Sequence, residues 1–319
     1  VYKFIVYPGN NSFVIREALL KRGNWKEVQY DDEIDFIWSP NSLSTKEKNP
    51  NHQIVINHFE NNQSLTTKSD MIKALNNHYR KNYNVFHSIP ATYVLIVDQR
   101  DFQIKFNEIS KNIWILKPDN MSQGKGIEIF QSLKAILSFS KWVIQKYIER
   151  PLLYNGRKFD LRVWVLLTNK GELFVYKNGY LRTSSSKYSM QTFNEAVHLT
   201  NWSLQKGLPS YEKHEQGNRL PLKEGLQYIF DTQFYEKHIY PRMKDLIIDL
   251  VRSCEQEMFK SKKNCFELYG FDFIIDEDLR VWLIEANKNP GFGLPTEKAR
   301  KLIDEMVDEL LRLTIDQDY

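Results

Sequence analysis

Phe271-Asp272-Phe273-Ile274-Ile275-Asp276-Glu277-Asp278-Leu279-Arg280-Val281-Trp282-Leu283-Ile284-Glu285-Ala286-Asn287 has the pattern of two strands and the turn between them. Residues 271–275 and 280–284 are rich in aromatic and β-branched side chains, and the acidic run 276–278 supplies the turn. A lone Asp sits among apolar neighbours in the first strand. A Glu and an Asn straddle one residue at the end of the second. If the strands pair through the turn, alternation puts Glu285 and Asn287 on one face, near Asp272. Three oxygen-bearing side chains converging there suit Mg2+, which keeps waters and takes its remaining ligands from nucleotide phosphates. The competing reading is a strand end with polar groups in solvent. Two acids at matching positions in apolar surroundings argue against it.

Upstream, Lys158-Phe159-Asp160-Leu161-Arg162-Val163-Trp164 alternates polar and apolar residues, so Lys158, Asp160 and Arg162 share a face. Residues 158–167 and 172–180 read as an antiparallel pair joined by a turn at 169–171, and the return strand runs on into Tyr180-Leu181-Arg182-Thr183-Ser184-Ser185. Two arginines there could clamp an anion bidentately, with lysine acting as a point charge. A solvated hairpin with a salt-bridged Asp160 would show the same pattern. Earlier still, Lys117 ends a strand, and Gly124-Lys125-Gly126 forms a flexible turn before another strand. Glycines let backbone N–H groups approach phosphate oxygens. The spacing is neither a Walker A loop nor a GxGxxG fingerprint. Taken alone, it reads as a plain hairpin turn before it reads as a phosphate loop.

The rest of the chain frames these segments. The first 65 residues alternate strand and helix: strands at 1–7, 35–38 and 54–59, a helix from Phe13 to near Gly23, and another opening at 69–75. A helix-poor stretch with Pro90 and a strand at 93–97 follows. Strands are expected at 113–116, 127–130 and 142–145, with a helix at 133–139. Residues 221–254 carry helical periodicity interrupted near Pro241. Residues 296–313 form an amphipathic helix with Leu302, Ile303, Met306, Val307, Leu310 and Leu311 on one side.

Composition sets the outer bounds. At 319 residues the chain is long enough for about two domains with a buried core. Its 42% hydrophobic and 13% aromatic content excludes a disordered or collagen-like chain. No apolar run reaches membrane-spanning length. Cys254 and Cys265 are the only cysteines, which argues against a disulfide scaffold or zinc site and favours a reducing, cytoplasmic setting. A net charge of +4 is too slight to name a partner, and neither nucleic acid nor membrane is expected.

Seven blocks in order, WILKPDNMSQGKGI, VIQKYIERPLL, RKFDLRVWVLL, GYLRTSSSKYS, HLTNWSLQKG, FELYGFDFIIDE and VWLIEANKNP, resemble the tubulin–tyrosine ligase family of ATP-grasp ligases. They span Trp114 to Pro290, with weaker echoes at Arg22–Lys26 and Ile56–Phe59. The resemblance implies an α+β ATP-grasp fold: an N-terminal α/β subdomain (1–65), a central lobe (66–145) and a C-terminal lobe (146–319), the lobes clasping ATP between antiparallel sheets.

It also implies the chemistry. ATP phosphorylates a carboxylate of the acidic tubulin tail, and the amine of a free amino acid attacks the acyl phosphate. Lys117, Lys158 and Lys68 are implied to contact the nucleotide, together with Gly124, Lys125 and Gly126 of the glycine turn. Gln145, Lys146, Tyr147 and Ile148 are implied as the adenine-side hinge. Asp160, Thr200 and Asn201 are implied to line the ATP pocket, Arg162 to stabilise the transferred phosphoryl group, and Arg182 to hold a substrate carboxylate. Asp272, Glu285 and Asn287 are implied to bind Mg2+. No side-chain nucleophile is required.

The LRTSS block, the Gln205-Lys206 pair and Glu215–Asn218 resemble the tyrosinating members most closely, which makes tyrosine the expected donor. Glycine and glutamate are the alternatives within the family. Too few residues follow Asn287 for the basic microtubule-binding extension of glutamylating members. The loop at 118–121 and the run at 289–292 depart from the family pattern and bear on the donor. Outside this activity stand a ligase of small molecules, against which HLTN and RKFDLR speak, and a non-catalytic tubulin-binding protein, which would have lost a metal ligand or phosphate lysine. A microtubule or cilium location is implied by the partner.

Overall fold

The computed structural model describes residues 1–10, 12–29, 33–43, 54–81, 89–108, 113–119, 121, 124–132, 142–260, 264–293 and 296–317. The helix expected at 133–139 lies outside the described residues. The chain is α+β, with one parallel and two antiparallel sheets among the described residues.

The N-terminal sheet has four parallel strands in the order β2-β1-β3-β4: β1 (Tyr2–Val6), β2 (Trp25–Glu27), β3 (Phe36–Trp38) and β4 (Val55–Ile56). The helix Phe13–Lys21 crosses between β1 and β2, as parallel pairing requires.

The second sheet is antiparallel, in the order β5-β8-β6-β7: β5 (Thr92–Val94), β6 (Trp114–Pro118), β7 (Glu128–Phe130) and β8 (Trp142–Lys146). The strand expected at 93–97 ends at Val94, and a helix, Leu95–Glu108, takes over. The Asp98 carboxylate closes its first turn by accepting from the Val94 N–H at 2.8 Å. Phe102 then packs edge-on against Trp114, seating the helix on the sheet.

The third and largest sheet runs β12-β11-β10-β13-β14, all antiparallel, with β9 (Leu153–Tyr154) added at the start of β10. Its members are β10 (Arg157–Thr168), β11 (Leu173–Thr183), β12 (Arg219–Pro221), β13 (Phe266–Ile275) and β14 (Val281–Lys288). Every residue of β10 and β13 is buried, as in central strands covered on both faces.

Alternation along β10 divides the core. Phe159, Leu161, Val163, Val165 and Leu167 join a cluster with the helix Tyr240–Met258, whose Met243, Leu246, Ile247, Leu250 and Val251 recur at helical spacing. Pro241 does not interrupt that helix. It sits in the first turn, after the π-helical turn Tyr235–Ile239, where a missing N–H costs nothing. On the other face, Trp164 and Leu166 pack with β1, β3 and the helix Glu297–Leu313. Thr296 caps that helix by accepting from the Ala299 N–H at 2.9 Å, and the expected stripe from Ile303 to Leu311 is its buried side.

One polar lock ties the N-terminal sheet to β13. The buried Glu267 carboxylate accepts from His58 Nδ1 at 2.6 Å, the Phe59 N–H at 2.8 Å and the Asn62 amide. Among the described residues no helix is long and apolar enough to cross a membrane.

Candidate active site

The second and third sheets face one another across a cleft of about 650 Å³. Its floor is the half of β10 that precedes Trp164. Lys158 and Asp160 point into the cleft, and Arg162 points into a wider adjoining space of about 1520 Å³. Register fixes their partners: Asp160 lies opposite Arg182 on β11, and Arg162 lies opposite Asp272 on β13. Both are bidentate pairs. Arg182 Nε and Nη2 donate to Asp160 at 2.6 and 2.7 Å, and Arg162 donates to both Asp272 oxygens. Arg182 Nη2 also reaches Asp272 Oδ2 at 2.7 Å, joining the pairs into one network. The Thr200 hydroxyl adds a 2.5 Å bond to Asp160. Burial would push the Asp272 carboxyl up, but the guanidiniums of Arg162 and Arg182 outweigh it and hold it well below the usual carboxylate range.

Asp272 also lies opposite Glu285 on β14, through a bulge. From the turn, Ile275 pairs with Val281, Ile274 with Trp282 and Phe273 with Leu283; the ladder then skips Ile284. Unbroken alternation would have put Glu285 on the face of Phe271 and Phe273, away from Asp272. The extra residue turns it round. Asn287 Nδ2 consequently lies 3.1 Å from Glu285 Oε1 and 3.4 Å from Asp272 Oδ2. Among the described residues Glu285 makes no ion pair. Asp272 accepts from three arginine N–H groups and, at 3.4 Å, from Asn287 Nδ2, which fill its roughly four acceptor positions, so a cation here would displace the long Asn287 contact. Hard oxygen donors gathered in this way fit Mg2+.

The cleft is also cationic. Lys117 from β6 and Lys158 from β10 are both buried. Burial lowers Lys117 to about 8 despite Glu285, with Lys68 lowering it further. Burial lowers Lys158 to about 7, Asp160 opposing and Lys117 reinforcing the shift. Each amine is held in place. Lys117 Nζ donates to Gln145 Oε1 at 2.7 Å, and Gln145 Nε2 donates to Thr92 Oγ1 at 3.0 Å. Lys158 Nζ donates to the Tyr147 hydroxyl at 2.9 Å and lies 4.4 Å from its ring centroid. His198 Nε2 faces the Thr192 carbonyl, which can only accept, so Nε2 carries the proton and Nδ1 accepts from Tyr147 at 2.7 Å. Burial lowers the His198 pKa, in keeping with that neutral ring.

The cleft thus brings buried cations and an oxygen cluster together over β10. The model of the tubulin–tyrosine ligase family matches residues 45–318. The chain belongs to that family.

Its relatives include a tubulin glycylase 3A of Drosophila melanogaster, 35% identical over 65% of this chain and 22% of that protein. A tubulin monoglycylase of Homo sapiens is 35% identical over 66% of this chain and 30% of its own length. A probable tubulin polyglutamylase of Caenorhabditis elegans is 31% identical over 93% of this chain and 78% of that protein. The chain therefore spans most of the polyglutamylase but a third or less of the glycylases' length.

Most residues that the family resemblance points to meet in this space. Lys117, Gln145, Lys146, Tyr147, Ile148, Lys158, Asp160, Arg182, Thr200, Asn201, Asp272 and Glu285 line the nucleotide-sized cleft. Arg162 and Asn287 line the adjoining space, which shares Arg182, Asn201 and Glu285 with it. The side chain of Lys146 is engaged elsewhere, with Glu149 and the Ile113 carbonyl. Gly124 sits on the HLTN segment, where a Cβ would lie 2.6 Å from Leu204 Cδ1 and 2.9 Å from Asn201 Oδ1 at a φ of +76°. Lys125 and Gly126 stand on that turn outside the cleft lining, with Lys125 exposed. Lys68 Nζ donates to the Met121 carbonyl at 2.9 Å.

Sequence reasoning missed several supporting residues. Thr92 and His198 anchor Gln145 and Tyr147. Gly270 leaves room for Arg162, whose Cδ would lie 3.0 Å from a Cβ there. Only spatial proximity identifies these three.

Proposed function

We propose that this chain is an ATP-dependent ligase that activates a carboxylate of the tubulin tail as an acyl phosphate and joins it to an amino acid. The observation that carries this reading is the shared space: two buried lysines, two arginines on neighbouring strands held by aspartates, and an oxygen cluster. Family membership supports the activity. The relatives' names, glycylases and probable polyglutamylases, support glycine or glutamate as donor better than the expected tyrosine.

The residues act chiefly by position and charge. Lys117 and Lys158 hold phosphate oxygens, with their amines fixed by Gln145 and Tyr147. The backbone after β8 offers its N–H and C=O groups to the adenine edge. Asp272, Glu285 and Asn287 would hold Mg2+, which would neutralise phosphate charge when bound. A substrate carboxylate oxygen attacks the terminal phosphorus of ATP and ADP leaves. Arg162 and Arg182 face that point, with Asp160 and Asp272 fixing their planes. The amine of the second substrate then attacks the acyl carbon, the bond to phosphate breaks, and the amine proton leaves with the phosphate. Closure of the Gly124 turn over Asn201 would limit water, which competes with the amine. Such a protein works on the cytoskeleton.

Intact-mass analysis tests this. Tubulin lacking its terminal tyrosine is incubated with the protein, Mg-ATP and an equimolar mixture of glycine, glutamate and tyrosine. A gain of one or more glycine or glutamate residues is expected. A gain of tyrosine would favour the donor expected from the sequence instead. No gain with ADP released would remove tubulin as acceptor.

A further inference from the structure

β12 places Arg219 directly opposite Arg182 on β11, yet the two guanidiniums keep different company. Arg182 is matched by Asp160 and Asp272. Among the described residues Arg219 has no carboxylate partner. Its Nη1 reaches the Gly293 carbonyl at 3.4 Å, and its Nε is shut off from solvent with no hydrogen-bond acceptor. The ring centroids of Tyr180 and Trp202 lie 5.0 and 6.0 Å from its Cζ and set its position. Glu212, on the same rim, instead accepts from the Gly217 N–H at 2.9 Å.

Like charges facing one another across a sheet are unfavourable, and a buried donor without an acceptor costs free energy. Burial, Arg182 and Arg162 all lower the Arg219 pKa, so the fold alone does not favour its charge. The fold nevertheless keeps room for it: a Cβ at Gly293 would lie 2.3 Å from Nη1. A half-buried guanidinium with no carboxylate partner among the described residues, facing a substrate cleft, calls for an anion from outside the chain.

Where it sits narrows the anion. Arg219 lines the wider space with Arg162, Arg182 and Glu285, beside the nucleotide cleft and outside its lining. Its strand is one sheet spacing, about 4.8 Å, from the strand of Arg182. Side chains on neighbouring strands can bracket one small molecule, so a donor whose amine points at the acyl phosphate beside Arg182 has its negative end within reach of Arg219.

We propose that Arg219 binds a carboxylate of the incoming amino acid, anchoring the second substrate of the ligation. This rests on the ligase reading above. The carboxylate is either the α-carboxylate common to all donors or the side-chain carboxylate of glutamate, and the test separates them.

Incorporation into tubulin is measured for glycine, glutamate and tyrosine separately, with KM for the amino acid and for ATP determined on the wild type, Arg219→Gln, Arg219→Lys and Gly293→Ala. Arg219→Gln is expected to raise the amino-acid KM by about tenfold or more while the ATP KM stays within about twofold. Arg219→Lys, which keeps a charge without the fork, and Gly293→Ala, which displaces the guanidinium, should give smaller rises. A rise for every accepted donor assigns the α-carboxylate; a rise for glutamate alone assigns its side chain. An unchanged amino-acid KM in Arg219→Gln overturns the proposal. If Arg219→Gln does not fold, unchanged KM values in the other two variants overturn it.

A wild type that ligates nothing would instead overturn the ligase reading. Calorimetric binding of glutamate and glycine to the complex with a non-hydrolysable ATP analogue then decides the role of Arg219. Weaker binding by the variants supports it, and equal binding refutes it.

Discussion

Asp272 faces Glu285 across β13 and β14 because Ile284 is left out of the ladder between them. The carboxylate matched by two arginines and the one without an ion pair thereby become neighbours, bridged by Asn287. Glu285→Gln keeps the size and the contact with Asn287 but removes the charge. It is expected to lower kcat by about a hundredfold or more, since charge stabilisation in such sites is worth that much. The fold should persist, because Glu285 is only half-buried. Circular dichroism and turnover at several Mg2+ concentrations check this; normal turnover would remove Glu285 from the metal set.

Lys158 near 7 and Lys117 near 8 give nucleotide affinity a pH dependence of definite sign. Bound phosphates favour the charged amines, so each pKa is higher in the complex than in the free protein. Binding therefore takes up protons, and affinity is greatest below the free-state values. It should fall as pH rises through about 7 to 9. Calorimetry at pH 8 in buffers of different ionisation enthalpy should show net proton uptake. Lys158→Met should remove part of that uptake and weaken binding. A flat affinity over this range would contradict the assignment of both lysines.

Asp272→Asn tests the arginine network apart from turnover. The substitution leaves Arg162 and one of the three Arg182 contacts facing a neutral amide in a buried site. Removing one partner of such a group costs about 3 kcal/mol or more. The sign with pH is also fixed. The Asp272 carboxyl is depressed in the folded state, so its contribution is full above the unfolded value near 3.9 and is lost as pH falls further. Urea unfolding should show the wild type and the variant converging in strongly acid solution. Parallel stability curves down to the lowest pH would sink the argument.

Period-two alternation made the cleft floor legible from the sequence. Lys158, Asp160 and Arg162 occupy one face of β10 because Phe159, Leu161 and Val163 need the other for the core. The C-terminal helix was equally legible, its apolar stripe and its cap at Thr296 being local features. The bulge at Ile284 was not, since one unpaired residue leaves no mark on composition, and straight alternation would have separated Glu285 from Asp272. Leu95–Glu108 was hidden by its β-branched start at Ile96 and Val97, where burial of Leu95 and Phe102 against the sheet overrode propensity. Arg219 carries no local signal. Its meaning depends on facing Arg182 across a long connection, and register between distant strands is a tertiary property.

Glu267 offers a prediction outside the cleft. Its carboxylate is fully buried and joins His58, the Phe59 N–H and Asn62 in one lock between the N-terminal segment and β13. His58 Nε2 faces the Ser39 carbonyl at 2.7 Å, so the ring spans two sheets with an acceptor at each nitrogen. Glu267→Gln keeps the shape but sets an amide NH2 against donors, and removes the charge they were arranged around. The loss should be about 3 kcal/mol. The network is remote from the cleft lining, so the KM for ATP should be unchanged in the folded variant. Unfolding curves and steady-state kinetics on the same preparation separate the two effects. A stable variant with a raised KM would show instead that the lock positions the cleft.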